Sequence, residues 1–136
     1  MANQNIGKIV RAVGPVVDVQ FDKDHLPLLN TALKIANGKE ELVVEVASHI
    51  GDDVVRCIAM GSTDGLVRGL DVIDTNAPIS VPVGDVTLGR MFNVLGQPID
   101  EKEFSTEGVK MMPIHRTAPD YAQQRTETEI LETGIK

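Results

Sequence analysis

A single cysteine cannot form a disulfide within its own chain, and Cys57 is the only one in these 136 residues. A reducing compartment is the simpler reading of that count. Tryptophan is missing, and three Phe and one Tyr are the whole aromatic content. A core must therefore come from Val, Ile, Leu and Ala. No apolar run is long enough to predict a membrane-spanning helix. The net charge is −7, from 20 acidic and 13 basic residues. That balance counts against binding along nucleic acid or insertion at anionic lipid, which call for a basic face. The opening "MANQNIGKIVRAVG" shows no charged segment followed by an apolar one and no Arg- and Ser-rich leader, so no secretory or import signal is expected. What remains is a chain of one ordinary domain's length with 42% hydrophobic residues, enough to bury a core of its own.

The first 76 residues predict short strands divided by turns. "IGKIVRAVG" (6–14) stops at Gly14-Pro15, where a positive φ and a fixed φ follow each other and make a corner. "VVDVQF" (16–21) alternates, with Val17, Val19 and Phe21 on one face and Val16, Asp18 and Gln20 on the other. A loop (22–30) follows. "TALKIA" (31–36) meets Asn37-Gly38, read as the two central residues of a type I′ hairpin. The return strand is "ELVVEVAS" (41–48). "HIGDD" (49–53) turns the chain into "VVRCIAMG" (54–61). In "GSTDGLVRG" (61–69), glycines supply turns and Arg68 a surface charge. Runs of this length and spacing predict a mainly β fold, a small closed barrel of about six strands over residues 1–76. Closure removes the sheet edges that so small a unit would otherwise expose. Val17, Val19, Phe21, Val44, Val46 and Ile58 are the expected interior.

From residue 77 the composition changes. Pro78 and Pro82 flank "ISV", so a strand there is short or at an edge. "RMFNVLG" (90–96) is a further strand candidate. Residues 101–129 are mostly polar, and Pro113 and Pro119 exclude one continuous helix. Thr126 with Glu129 reads as a capping box opening a helix, with Ile130, Leu131 and Ile135 as its apolar positions. Residues 77–136 hold too little apolar material for a separate core. They are expected to be the lead-in of a larger domain: extended, mobile, or ordered only by packing on the barrel or a neighbouring chain.

No residue is assigned a catalytic, cofactor-binding or metal-ligating role. His25, His49 and His115 are far apart and lack the spacing of a metal site. Cys57, inside an apolar strand, reads as a small buried hydrophobe with no base beside it. The acidic pairs Asp22/Asp24, Glu40/Glu41 and Asp52/Asp53 lie at turns, where carboxylates are simply solvated. The phosphate-binding pattern G-x-x-x-x-G-K-[ST] is absent. Gly7-Lys8 and Gly38-Lys39 have no glycine five residues before the lysine's partner glycine, and neither is followed by Ser or Thr.

Taken together, "GKIVRAVGPVVDVQF" (7–21), "GSTDGLVRGLDVIDTNAPISVPVG" (61–84), "LGRMFNVLGQPID" (88–100), "IHRTAPDY" (114–121) and "EILETGIK" (129–136) resemble the β subunit of the rotary F-type ATP synthase in order and spacing. The sister α subunit lacks a "GPVVDV" phrase at its opening. Related secretion and flagellar ATPases share "LGR...N..G.P.D" but are less similar in the barrel strands. The resemblance implies an N-terminal barrel (1–76) that helps hold a ring of alternating α and β subunits. It also implies the incomplete start of a RecA-like α/β nucleotide-binding domain (77–136) that ends before the P-loop. The implied partners are α subunits and, indirectly, the central shaft. No nucleic acid and no direct membrane insertion are implied. Mg-ATP or ADP belongs to the full-length family member and no cofactor to this segment. The implied location is the cytoplasmic face of a bacterial inner membrane, in a peripheral complex coupled to proton transport, with the segment alone soluble in the cytoplasm. Three alternatives stand beside this reading: a β-like subunit of a related rotary or secretion ATPase, a truncated paralogue acting as adaptor or assembly decoy, and an enzyme using scattered carboxylates.

Without the backbone amides and lysine of a P-loop, the 136-residue chain should bind Mg-ATP no tighter than about millimolar and should not turn it over. Titration calorimetry checks this, and micromolar affinity is the contrary result.

Overall fold

The computed structural model describes residues 5–38 and 40–130. Six strands form a closed antiparallel barrel: β1 (Ile6–Val13), β2 (Val16–Gln20), β3 (Thr31–Asn37), β4 (Glu40–Gly51), β5 (Val54–Ala59) and β6 (Asp71–Pro78). Their order around the barrel is β1-β2-β5-β4-β3-β6. Alternation places Ile9, Val17, Val19, Leu33, Ile35, Val44, Val46, Val55, Cys57 and Val72 inside, all essentially without solvent contact. Aliphatic side chains suit this interior, because β-branched residues pack well on a pleated surface. One aromatic ring enters, that of Phe21. It lies over Gly7, where a Cβ would stand 2.8 Å from both the Gln20 carbonyl and the ring. Gly7 is thus a position of close backbone approach.

The strand that closes the barrel, β6, is the one that the alternation of the sequence did not single out. It pairs with β1 through Ile6↔Ile73 and with β3 through Leu33↔Asp74, and extends to Thr31↔Pro78. Its buried Asp74 has two donors: its carboxylate accepts from Asn5 Nδ2 at 3.0 Å and from the Asn76 amide at 2.7 Å.

Ile58 faces outward, contrary to expectation, and is 46% exposed. With Cys57 inside, strict two-residue alternation leaves its neighbour outside. The hairpins also differ. Asn37 pairs with Glu40, so Asn37 still belongs to the ladder and is not a central turn residue. Gly38 carries the positive φ of 66°. The two successive left-handed residues of a type I′ connection are Asp52 and Asp53, with φ of 52° and 58°, between the paired Gly51 and Val54. β4 therefore runs through "HIG" instead of ending at Ser48. Register shifts at Val46/Ser48 and His49/Gly51 let this long strand bend along β5.

Loops cap both barrel ends. At one end, the loop 22–30 carries the chain from β2 across to β3. There Leu26 packs on the core, His49 Nε2 meets the Pro27 carbonyl at 2.8 Å, and Asn5 donates to the His25 carbonyl at 2.8 Å. At the other end lies "GSTDGLVRG". Leu66 and Leu70 pack on the core, Thr63 donates to the Gly14 carbonyl at 2.8 Å, and Arg68 Nε donates to the Val10 carbonyl at 2.6 Å. Arg68 is therefore a fastener of that loop as well as a surface charge.

Beyond the barrel, β7 (Ser80–Pro82) pairs with β8 (Met111–Pro113) as a separate two-stranded sheet. β7 is short, as its flanking prolines require. "RMFNVLG" is not a strand. Asn93 turns the chain back through its side chain, whose oxygen accepts from the Leu95 and Gln97 amides, leaving a lone Phe92↔Pro98 bridge. Short polar side chains offer the backbone this alternative to a ladder. Thr126 opens no helix over 126–130. Ile130 is 92% exposed there, and a short helix without a covered face does not meet its nucleation cost. Leu131 and Ile135 lie outside the described residues. Among those described beyond Pro82, only Gly96 is buried.

Val19→Asp should cost on the order of 5 kcal/mol, comparable to the whole stability of a small domain, because it buries an unpaired charge. Ile58→Asp on the outer wall should cost about 1 kcal/mol. Urea unfolding of both variants measures the contrast. Equal losses would mean that the β5 facing is wrong.

Candidate assembly surface

The interior offers no chemistry. Cys57 is enclosed by the barrel, and burial, with a smaller contribution from the Asp18 charge, pushes its thiol up to about 12. A thiol held protonated is neither a nucleophile nor a metal ligand at neutral pH. Each of the three histidines meets its own partner. His25 Nδ1 lies 3.1 Å from the Lys23 carbonyl, His49 meets Pro27, and His115 reaches Glu45. Among the described residues no three His, Cys, Asp or Glu side chains come together as a metal site. No described helix is long and apolar enough to cross a membrane.

Asp24, Asp52 and Asp53 occupy left-handed turn positions, which suit their short polar side chains. Glu41 pairs with Lys34 across the β3–β4 hairpin at 2.8 Å.

The outer wall is more organised. Val13 and Ile58 are 56% and 46% exposed, and Val16 between them is half-buried. The pairings Val13↔Val16 and Val16↔Ile58 set the three side by side across β1, β2 and β5. Single exposed aliphatics are ordinary on protein surfaces; a row across three strands is a contiguous patch of the kind that marks a contact. Next to it lies a shallow hollow of about 220 Å³, lined by Arg11, Val13, Val16, Asp18 and Arg56. Arg56 Nε and Nη2 donate to the two Asp18 oxygens at 2.8 and 3.0 Å. These donors hold the Asp18 carboxyl below the ordinary carboxylate range, against the opposing effect of burial. A bidentate Arg–carboxylate pair has fixed geometry, so the hollow has a stiff, polarised floor beside an apolar rim.

A second charged knot holds residues 90–104. Arg90 Nε and Nη2 donate to Asp100 at 2.5 and 3.0 Å, and Nη2 also donates to the Lys102 carbonyl at 3.1 Å. The guanidinium lies 5.1 Å from the Phe104 ring centre, and Phe104 meets Phe92 edge to face at 5.1 Å. The Arg90 donors hold the Asp100 carboxyl well below the usual carboxylate range. Neither Arg–Asp pair was singled out from the sequence. Asp18–Arg56 spans 38 positions, and no local spacing signals such a partner.

A closed six-stranded antiparallel barrel with capped ends, an inert core and a patterned outer wall defines a structural β-barrel domain. The family model for the ATP synthase alpha/beta family, β-barrel domain, matches residues 9–76, half of the chain. The chain belongs to the ATP synthase alpha/beta family, and that membership suggests a part in hexamer assembly.

Cys57 should react with a thiolate-selective reagent at pH 8 about 100-fold or more slowly in the native protein than in urea. The shift also has a sign. Because the folded-state value lies above the unfolded one, its contribution to stability is complete below about 9 and is lost as pH rises towards about 12. Cys57→Ala, less stable overall, should show the shallower decline in unfolding free energy across that window. Parallel slopes would contradict the burial argument.

Proposed function

We infer that this chain is the N-terminal part of an F-type ATP synthase β subunit. In this reading its barrel is a rigid contact module in a ring of alternating α and β subunits. The observation that carries the reading is the apolar row Val13–Val16–Ile58 beside the Asp18–Arg56 pair, on the outer wall of a barrel that matches the family over residues 9–76. A fixed collar needs little internal motion, and a closed ladder around a buried apolar core suits that. The "GPVVDV" phrase at the β1–β2 corner, which the sister α subunit lacks, favours β over α.

On this reading residues 1–76 are the crown barrel and 77–136 begin the RecA-like nucleotide-binding domain. Mg-ATP or ADP and the catalytic groups belong to sequence beyond this segment. The partners are α subunits and, through the assembled ring, the central shaft. The complex sits peripherally at the cytoplasmic face of a bacterial inner membrane and couples ATP synthesis or hydrolysis to proton transport.

A photo-reactive amino acid placed at Ile58 should crosslink to the barrel of an α subunit when the two chains are mixed, and Val13→Asp should suppress the crosslink while the barrel stays folded. No crosslink from Ile58, together with no complex by native mass spectrometry, would defeat the assembly reading.

A further inference from the structure

Glu45 lies on the outward row of β4, opposite Ala32 of β3 and Ile58 of β5. Its side chain is only 15% exposed. A carboxylate so enclosed requires a donor. That donor comes from 70 positions away: His115 Nε2 lies 2.9 Å from Glu45 Oε2. Since a carboxylate only accepts, the imidazole Nε2–H donates.

One residue earlier, the Ile114 amide donates to the Ile79 carbonyl at 3.0 Å, and Ile79 is itself buried. The pairing Ser80↔Pro113 continues the same line of contacts. The segment Met111–His115 is thus joined to the chain just after the barrel and, independently, to the barrel wall at β4.

We propose that residues 111–115 form a strap that fixes the orientation of the post-barrel segment, with Glu45–His115 as its fastening. The chain leaves β6 at Pro78, which alone is a single tether about which the following residues could pivot. The fastening on β4 adds a second attachment on a different strand, and a body held at two separated points cannot swing without breaking one of them. His115 is here a positioning residue, with no role in chemistry. His115 also lines a cavity with Arg116 and Asp120.

Amide hydrogen exchange of the whole chain, read residue by residue, tests the strap. His115→Ala should accelerate exchange at Met112 and Ile114 about tenfold, with β2 and β5 amides unchanged. His115→Gln, which retains an N–H donor, should keep most of the protection. Glu45→Lys should lose it, and the charge-reversed pair Glu45→Lys with His115→Glu should regain it. Unchanged exchange at Ile114 in His115→Ala overturns the proposal. So does equal acceleration throughout the barrel, which would make the contact a general stabiliser and not a strap.

Discussion

The constraint on which the structure rests is that the edge strands β1 and β3 present backbone N–H and C=O groups that need partners. β6 answers both with one stretch of chain, pairing with β1 on one side and β3 on the other. Once it is in place no edge of the six-stranded sheet is open. The remaining barrel features serve that closure. Gly7 lets β1 come against Phe21, the register shifts bend β4 along β5, and the two end loops seal an interior that holds no polar side chain without a partner among the described residues.

Closure also sets where a contact surface can be. A barrel of this size fills its interior with side chains, so recognition has only the outer wall and the end loops. The Val13–Val16–Ile58 row lies on that wall, next to a floor stiffened by a bidentate ion pair. An apolar core with a polar rim is the common anatomy of protein interfaces. The chemistry of the interior agrees: its one reactive side chain, Cys57, is held protonated by burial.

Past Pro82 a different kind of order takes over. With little apolar material to bury, residues 83–130 are shaped by specific polar contacts. Asn93 closes a turn through its own side chain, Arg90 gathers Asp100, a carbonyl and an aromatic ring, and His115 reaches back to the barrel. Such contacts fix geometry but contribute modestly where solvent reaches them. This explains why the segment has defined turns and only one buried residue after Pro82.

Much of the barrel was legible in the sequence, because local pattern decides facing. Alternation in "VVDVQF" placed Val17, Val19 and Phe21 inside, Gly14-Pro15 marked a corner, and Cys57 in an apolar run marked the core. The same rule, applied strictly, would have put Ile58 outside. What local pattern could not decide were quantities that depend on partners distant in the chain. Asn37 stayed in the ladder, paired with Glu40, because register along the whole β3–β4 pair outweighs a dipeptide preference. "RMFNVLG" has the composition of a strand but found no strand to pair with. Thr126 has the chemistry of a helix cap, yet residues 126–130 form no helix and Ile130 is exposed. Asp18–Arg56, Arg90–Asp100 and Glu45–His115, the pairs that give the outer wall and the junction their character, join residues 38, 10 and 70 positions apart. By itself the sequence determined a β-rich aliphatic barrel and the absence of a phosphate-binding loop within these residues, since both are properties of contiguous runs. Tertiary structure alone decided which strand closed the barrel, which apolar residues were left on its outside and which charges met, because those depend on register around a closed sheet and are a property of no single stretch of chain.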